Sequence, residues 1–434
     1  MAAAIPAGIS EKSFSALSFG AAGVRTPLSA TVETTFRCNL KCVHCYVNES
    51  PGDAEEIARE LDTARLIRLV DEAADHGSLF LLLTGGEVLV RSDFPEVYLH
   101  AIKRGLLVTI FSNGTLVTDR VAELLAEHPP QAVEISVYGH TRETYEAVTQ
   151  IPGSFDKCRA GIKRLLDRGV PLRLKTMALT VNQHEVTDME NFAKDLGLTF
   201  RFDGFLNPRV DCGANRNGQL QLTSEQVVAL DIENPARMAE FKEFTDKYCQ
   251  PFEAGVEGDF VYSCGAGETS FTVDPYGNLQ MCQLSRRHSF SLKEGAFAEG
   301  WNEFFPKLRS RKWQHNDACR KCNLISLCGN CPGAAEMETG DIEGMIPQFC
   351  EITHLRAHAV MGEGSGHLKD ATCCLGHGTL AAQPASSIDL SHPAGCGSCS
   401  SSVALEGPKQ EPLIQLQVRR PKAARVSGLP LRAV

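Results

Sequence analysis

The stretch that decides the fold runs from Thr31 to Tyr46 and reads Thr-Val-Glu-Thr-Thr-Phe-Arg-Cys-Asn-Leu-Lys-Cys-Val-His-Cys-Tyr. Its first six residues are rich in β-branched side chains and predict a strand, Thr31–Phe36. Three cysteines follow with the spacing C-x3-C-x2-C, on what should be a loop. Three thiolates on one short loop suit an iron–sulfur cluster or a zinc ion. The loop after the first strand is therefore a candidate metal centre, with a structural zinc knuckle as the alternative.

The same strand pattern recurs further along the chain. From Thr31 to about Phe205, short β-branched or apolar runs alternate with helix-length amphipathic segments. This alternation is typical of a parallel sheet with crossover helices, which carries its functional groups on loops at the C-terminal edge. The predicted strands are Thr31–Phe36, Leu79–Leu83, Leu107–Ser112, Ala132–Val137, Pro171–Met177 and Thr199–Phe205. We predict an α/β fold, a partial (β/α)6 TIM-like barrel followed by a small cysteine-rich, cluster-binding C-terminal domain.

The first long crossover helix has ordinary start and stop signals. Asp62 is a suitable N-cap, and Gly77 follows the end of the segment. The apolar positions at helical spacing are Leu66, Leu69, Val70 and Ala73.

Three further motifs follow predicted strands. Thr84-Gly85-Gly86-Glu87 ends the second strand, and glycine permits a close approach of the backbone to a ligand. Ser112-Asn113-Gly114 follows the third strand and Ser136 ends the fourth. Taken alone, Ser-Asn-Gly is an ordinary turn sequence. All three motifs should meet the cysteine loop at one edge of the sheet.

The cysteine loop and the Gly-Gly-Glu motif together resemble the signature of the radical S-adenosylmethionine (radical SAM) superfamily. The resemblance implies a [4Fe-4S] cluster held by Cys38, Cys42 and Cys45. Three protein ligands leave one iron open, and in this family that iron binds the amino and carboxylate groups of S-adenosylmethionine. The reduced cluster then splits the cofactor to methionine and a 5′-deoxyadenosyl radical, which abstracts hydrogen from the substrate.

The resemblance also implies a set of cofactor-binding residues: Tyr46, Gly85, Gly86, Glu87, Ser112, Asn113 and Ser136. The Gly-Gly-Glu segment would hold the ammonium group, the serines and the asparagine the methionine and ribose, and the tyrosine would lie near adenine. Lys175 on the fifth strand is a candidate for the cofactor carboxylate. Catalytic acids and bases stay unassigned, because Arg201 and Asp203 depend on a strand register that a one-residue slip would reverse.

A second set of cysteines lies downstream, with Gly277 inside it in a C-x12-G-x4-C arrangement. Its members are Cys264, Cys282, Cys319, Cys322, Cys328, Cys331 and Cys350. Paired C-x2-C motifs also occur in zinc ribbons, so two zinc sites are the alternative to iron–sulfur clusters. The set is similar to the SPASM extension of peptide- and protein-modifying radical SAM enzymes, which implies two auxiliary [4Fe-4S] clusters.

The resemblance divides these cysteines between the two auxiliary clusters. Cys264, Cys282 and Cys331 would hold the nearer one, and Cys319, Cys322, Cys328 and Cys350 the farther one. The family usually ends its middle group with C-x3-C, whereas this chain has Cys328-Gly-Asn-Cys331. This shorter gap puts the exact ligand set of at least one cluster in doubt. Seven cysteines also leave two clusters one ligand short, and Cys249, a non-cysteine group or an open iron could complete the set.

Composition narrows the class of protein. The chain has 434 residues, 43% hydrophobic and 22% charged, which is enough for two compact domains. Its net charge of −10 gives no support to nucleic-acid binding. The N-terminus lacks a signal-peptide pattern and no window approaches a membrane span, so we expect a cytoplasmic protein. Seventeen cysteines then indicate metal binding rather than a disulfide framework.

We expect four segments: 1–27, a flexible N-terminal segment; 28–235, the radical SAM core; 236–360, the auxiliary-cluster domain; and 361–434, a flexible tail. Cys158 should be a small buried residue on a helix, and the favoured interpretation of Cys212 is equally structural. The tail thiols Cys373, Cys374, Cys396 and Cys399 are interpreted as exposed, with a further metal site or a substrate in cis as alternatives.

Two enzymatic hypotheses and one non-enzymatic hypothesis follow. The first is modification of a ribosomal peptide or a protein side chain; since about thirty residues precede the core, a separate leader-binding protein would then be needed. The second is a small-molecule enzyme of tetrapyrrole or haem-type cofactor biosynthesis. Either one needs an external electron donor of the flavodoxin or ferredoxin type. The third is a metal-binding redox sensor, against which the Gly85-Gly86-Glu87 motif argues.

Overall fold

The protein is seen in a computed structural model that describes residues 25–47, 49–210, 217–248, 259–322 and 324–361. Six parallel strands form its centre in the order in which they occur along the chain. They are β1 (Ser29–Thr35), β2 (Phe80–Gly85), β3 (Leu107–Ser112), β4 (Ala132–Ser136), β5 (Leu172–Met177) and β6 (Phe200–Asp203). Each begins and ends within two residues of the strand predicted from sequence, so the partial barrel is confirmed.

Helices cross between these strands and cover the sheet. They are α1 (Ala54–Arg59), α2 (Thr63–Asp75), α3 (Phe94–Lys103), α4 (Asp119–Glu127), α5 (Arg142–Thr149), α6 (Ser154–Asp167) and α7 (Val186–Asp195). Short 3-10 turns lie at Val88–Val90 and Gln183–Glu185. As predicted, the Asp62 carboxylate caps α2 by accepting from the Arg65 amide, and Gly77 follows with φ of 97°. The four predicted apolar positions of α2 are all buried.

The chain after β6 first forms three helices and then returns to the sheet. The helices are α8 (Asn217–Leu220), α9 (Ser224–Ile232) and α10 (Pro235–Tyr248). Strand β7 (Ser270–Val273) then pairs in parallel with β1, and β8 (Asn278–Gln280) and β9 (Phe290–Ser291) add antiparallel to it. The cysteine-rich half therefore extends the barrel sheet at the β1 edge.

Short helices complete the C-terminal half. They are α11 (Phe297–Glu299), a π turn (Gly300–Phe304), α12 (Phe305–Arg309), α13 (Asp317–Arg320), a 3-10 turn (Ile325–Leu327), α14 (Pro332–Thr339) and α15 (Pro347–Met361). Phe271, Phe297, Trp301 and Phe305 are almost fully buried here and belong to the same apolar core as the barrel. Part of the cysteine-rich half is therefore held by apolar packing that it shares with the barrel. In the described part of the chain, no helix combines the length and hydropathy needed to cross a bilayer.

Candidate active site

The cysteine loop lies at the C-terminal edge of β1 and is held by backbone hydrogen bonds. The amide of Cys38 donates to the Glu49 carbonyl at 2.9 Å. The amides of Lys41 and Val43 donate to the last residues of α5, at 3.0 Å each. The start and the middle of the loop are therefore anchored by backbone hydrogen bonds.

The three thiols of this loop line one cavity of about 390 Å³. The pKa of Cys38 is raised to about 12, mainly by burial and in part by the neighbouring Glu87 carboxylate and Cys45 thiol. Burial also holds the pKa of Cys42 well above its usual value, helped by the charges of Cys45 and Cys38. The thiols are thus close enough to interact, and binding of a metal would displace their protons.

A single zinc ion was the alternative to an iron–sulfur cluster at the cysteine loop. Among the described residues, no three Cys, His, Asp or Glu side chains are gathered tightly enough to hold a single metal ion. A zinc site needs each thiolate about 2.3 Å from one ion.

Close contact with neighbouring backbone requires glycine at both Gly85 and Gly86, at the end of β2. Gly85 has φ of 130°, in the region that side chains avoid, and a Cβ there would overlap the Thr35 carbonyl oxygen. A Cβ on Gly86 would overlap the Arg37 carbonyl oxygen. The Gly86 amide donates to Thr35 at 2.7 Å, which brings the Gly-Gly backbone against the root of the cysteine loop.

Glu87 is fully buried and its carboxylate is turned toward the end of β3. It accepts from the Ser112 hydroxyl at 2.9 Å, the Asn113 amide at 2.7 Å and the Leu89 amide at 3.1 Å. Burial raises the pKa of Glu87, although these hydrogen bonds oppose the shift. Gly85 and Gly86 line the cavity, whereas Glu87 lies behind them and ties two strand ends together.

The remaining sequence-predicted cofactor residues also reach the cavity wall. Asn113 donates from Nδ2 to the Cys38 sulfur at 3.7 Å and to the Asn39 side chain at 3.0 Å. Ser136 shares a hydrogen bond with the Tyr138 hydroxyl. Tyr46, Ser112, Asn113 and Ser136 all line the cavity, so the structure brings together the residues that sequence reasoning grouped.

Tyr46 is engaged with a buried ion pair. Its hydroxyl hydrogen-bonds the Glu33 carboxylate, which is fully buried on β1. Arg286 binds both oxygens of Glu33, at 2.8 and 2.9 Å, and Gln283 donates to it at 3.2 Å. Burial lowers the pKa of Arg286, but the charge of Glu33 outweighs it and the net shift is upward. This network joins the cysteine loop to the segment after Cys282.

Among the wall residues that sequence reasoning did not predict are His44 and Gln283. His44 lies between two of the cysteines, and its ring packs edge-on against Tyr138 at 4.9 Å. Burial lowers the pKa of His44 to about 4, so the imidazole is neutral at pH 7. Its position inside the cysteine loop was the available signal. Gln283 also lines the cavity, from a point 250 residues away from Glu33, and had no local signal.

The register of β4, β5 and β6 places charged residues on the cavity wall. Lys175 is opposite Arg201 and near Glu134, with Nζ 3.9 Å from the carboxylate, while Arg201 binds the same carboxylate at 2.7 Å. Burial holds the pKa of Lys175 well below its usual value, in spite of Glu134. Asp203 lines the cavity as well and accepts from the Phe205 amide.

Several thiols of the second set of cysteines lie close enough to interact with one another. The pKa of Cys282 is raised to about 11. Burial is the main cause, and the charges of Cys331 and Cys264 contribute. Burial is the main cause of the raised pKa of Cys328, and the charge of Cys319 also raises it. Cys331 caps α14 and accepts from the Ala334 amide at 3.4 Å. Cys331 interacts with both Cys264 and Cys328, so the division between two clusters stays a prediction.

The other cysteines divide between described and undescribed parts of the chain. Cys158 lies on α6, 1% exposed, as predicted. The remaining six, Cys212, Cys249, Cys373, Cys374, Cys396 and Cys399, lie outside the described residues.

The family model described as "Radical SAM superfamily" matches residues 32–196, the stretch that holds the cysteine loop, the Gly-Gly motif and β1 to β5. These residues are a radical SAM domain. The chain's cysteine-rich C-terminal half is of the SPASM type, and its relatives are enzymes.

Several relatives of known name match most of this radical SAM chain. The subtilosin biosynthesis protein AlbA of Bacillus subtilis is 28% identical, over 70% of this chain and 67% of its own. The AdoMet-dependent heme synthase of Methanosarcina barkeri is 28% identical, over 71% and 92%. The mycofactocin maturase MftC of Mycolicibacterium smegmatis is 29% identical, over 76% and 84%.

A solved structure supports the fold. SuiB of Streptococcus suis superposes with a TM-score of 0.57 at 15% identity, covering 74% of this chain and 76% of its own. At this identity the likeness concerns the fold alone.

Proposed function

We propose that this radical SAM enzyme modifies a ribosomally made peptide or a protein side chain. The observation that carries the proposal is a single cavity that gathers the three loop thiols, the Gly-Gly backbone and Gln283 from the cysteine-rich half. Two relatives support a peptide substrate by their names, AlbA for subtilosin and MftC for mycofactocin. SuiB is known bound to its precursor peptide SuiA.

In this proposal the loop thiols hold a [4Fe-4S] cluster, and each side of the cavity binds one part of S-adenosylmethionine. The backbone of Gly85 and Gly86 holds the ammonium group, with Glu87 fixing that backbone from behind. Ser112 and Asn113 face the methionine, Ser136 the ribose, and Tyr46 the adenine. When bound, the reduced cluster supplies the electron that cleaves the cofactor to methionine and a 5′-deoxyadenosyl radical.

The chain's own residues then orient the cofactor and exclude water. Lys175 is suited to the cofactor carboxylate because it faces the cavity and retains Glu134 as a counter-ion. Neutral His44 and Tyr138 close the wall beside Cys42 with aromatic surface. A closed wall protects a reactive species from side reactions with solvent.

We further propose two auxiliary [4Fe-4S] clusters in the C-terminal half. Cys264, Cys282 and Cys331 hold the nearer one, and Cys319, Cys322, Cys328 and Cys350 the farther one. The grouping of Cys282 with Cys264 and Cys331, and of Cys328 with Cys319, supports this division. The fourth ligand of the nearer cluster stays open.

The proposal keeps the other expectations from sequence. The core spans 28–235 and the auxiliary domain 236–360, and a separate protein recognises the peptide leader. A flavodoxin- or ferredoxin-type donor supplies electrons, and the enzyme acts in the cytoplasm.

Metal content and cofactor cleavage test the radical chemistry first. Anaerobically reconstituted protein should contain about twelve irons per chain if it holds three four-iron clusters. With reductant it should form 5′-deoxyadenosine, and the Cys38→Ala/Cys42→Ala/Cys45→Ala variant should form none while it keeps about eight irons. Cys158→Ala is the matched control, since this thiol is buried on α6 and should leave both values unchanged. Zinc in place of iron, or cleavage in the triple variant, would contradict the proposal.

A tetrapyrrole substrate is the second candidate. It is favoured by the heme synthase relative, whose identity and coverage match those of the peptide maturases. Incubation with an iron coproporphyrin and, separately, with small peptides encoded beside the gene distinguishes the two. The substrate that changes mass and accelerates formation of 5′-deoxyadenosine is the one used.

A further inference from the structure

Three cations surround one buried carboxylate on the inner face of β4, β5 and β6. Glu134 is 7% exposed, and its Oε2 accepts from Arg201 at 2.7 Å. Arg173 lies 3.6 Å from the other oxygen of Glu134, and Lys175 lies 3.9 Å from Oε2. Asp203 is the other carboxylate on this wall, two residues after Arg201 on β6. Three cations therefore face two acids here.

The two cations that line the thiol cavity differ in depth. The side chain of Lys175 is 17% exposed, whereas that of Arg201 is 60% exposed. Strand β6, which carries Arg201, is the last strand on its side of the sheet, and no described strand pairs with its outer edge. Burial lowers the pKa of Lys175, while an arginine stays charged. Arg201 thus places a permanent charge at a free edge of the barrel.

Arg201 uses only one side of its guanidinium to bind Glu134. Its Nε and Nη2 atoms both donate to Oε2, at 3.3 and 2.7 Å. Its Nη1 atom donates to none of the residues that the structure describes. The parallel N–H groups of Nη1 and Nη2 match the two oxygens of a carboxylate. Glu134 therefore orients Arg201 and leaves one pair of donors open.

We propose that Arg201 binds a carboxylate of the substrate and so selects acidic peptides over neutral ones. The proposal rests on the proposed function, which supplies the peptide substrate. In a ribosomally made peptide the anionic groups are the carboxylates of Asp, Glu and the C-terminus. Arg201 is in this sense a specificity-determining residue at the edge of the cavity, while the deeper Lys175 remains available to the cofactor carboxylate.

The binding test uses the full chain, reconstituted and saturated with S-adenosylmethionine, and three labelled probes. The α-amide of N-acetylglutamate carries an acidic side chain, the α-amide of N-acetylglutamine is its neutral match, and N-acetylalanine carries only a C-terminal carboxylate. Equilibrium dialysis gives the Kd of each probe for the wild type, Arg201→Gln, Arg201→Lys and Arg173→Gln. Arg173 is the matched control, because it also lies beside Glu134 but is not among the residues that line the cavity.

The wild type should bind one of the two carboxylate probes about tenfold more tightly than the neutral probe. Whichever probe it prefers identifies the carboxylate as that of a side chain or of the C-terminus. Arg201→Gln should lose this preference, and Arg201→Lys should keep part of it, since an ammonium retains the charge without the paired donors. Arg173→Gln should bind all three probes like the wild type.

Two results of the dialysis would overturn the proposal. One is a wild type without a preference for either carboxylate probe, or a preference that survives in Arg201→Gln. The other is a raised Kd for S-adenosylmethionine in Arg201→Gln, because it would place Arg201 at the cofactor instead of the substrate. An unchanged Kd for S-adenosylmethionine in all variants is the expected result.

Peptides encoded beside the gene give a kinetic readout. Arg201→Gln should raise the KM of an acidic peptide roughly tenfold with little change in kcat, and should leave the KM of its amidated, Asn- and Gln-substituted version unchanged. A response to Arg201→Gln with an iron coproporphyrin alone would assign the carboxylate to a propionate and overturn the peptide source. Absence of 5′-deoxyadenosine from the reduced wild type would instead contradict the proposed function, and dialysis still decides on Arg201.

Discussion

At the scale of single residues, Glu87 combines burial with three hydrogen bonds from backbone and hydroxyl donors. An ionised acceptor of this kind contributes about 1.5–3 kcal/mol per bond, and leaving its donors unpaired costs more than the bond itself. The two backbone amides that donate to Glu87 belong to Asn113, in the turn after β3, and to Leu89, in the segment after Gly86. Glu87 thus fixes the wall on which cofactor binding is proposed.

We predict that Glu87→Gln loses about 2 kcal/mol of unfolding free energy, because the amide group cannot accept at both former oxygens. It should also weaken binding of S-adenosylmethionine, measured by equilibrium dialysis on reconstituted protein. Glu185→Gln is the control. Its buried carboxylate accepts from Thr141, Thr144 and the His140 amide and does not line the cavity, so it should lose stability while cofactor affinity stays unchanged. Equal cofactor affinity in both variants would remove Glu87 from the binding wall.

The site residues that could be predicted were those marked by a short sequence motif. The three loop cysteines and Gly85-Gly86 stand in fixed spacing, and a positive φ together with two carbonyl contacts explains the glycines. The direction of the Glu87 carboxylate was not predictable, because it depends on donors that follow a different strand. His44 was overlooked because a lone histidine among cysteines has several possible roles.

At the scale of elements, six strands were predictable because their β-branched runs are long and each is followed by a helix. Strand β7 was not, since its four residues form too short a run to stand out. Its pairing with β1 brings Cys282 and the residues after it toward the cysteine loop. The result is the buried Glu33–Arg286 pair, which joins residues 253 positions apart.

We predict that Arg286→Met destabilises the protein by about 3–5 kcal/mol, because it leaves the Glu33 carboxylate buried without its partner. Since Tyr46 also bonds Glu33, the loop should loosen, and iron of the loop cluster should be lost faster to a chelator. Arg287→Met, at the exposed neighbouring position, is the control.

The double variant Glu33→Gln/Arg286→Met tests whether the unpaired Glu33 carboxylate causes the loss of stability in Arg286→Met. It should recover most of the lost stability, because both charges are removed together. Chelator-driven iron loss followed by absorbance, alongside urea unfolding, measures both effects. A double variant as unstable as Arg286→Met alone would show that shape rather than charge pairing holds the two halves together.

At the scale of the whole molecule, the cysteine-rich half has two parts with different sources of stability. Residues 270–309 continue the barrel sheet and bury aromatic side chains in the common core. Residues 313–346 form short helices, of which α13 has four residues and α14 eight, around most of the farther cysteines. Elements this short seldom fold on their own, so metal ligands must contribute to the stability of the second part.

We therefore predict that removal of iron opens residues 313–346 and leaves the barrel intact. Trypsin should cut first at Arg320 or Lys321, which lie between Cys319 and Cys322 and are at least partly exposed. Lys163 on α6 is the internal control: its side chain is 74% exposed, yet its helix packs on the barrel and should resist. Mass spectrometry of timed digests, with and without chelator, locates the cuts. Early cleavage at Lys163 after chelation would mean that the clusters stabilise the whole molecule, and cleavage at Arg320 at the same rate with iron bound would mean that they do not order this segment.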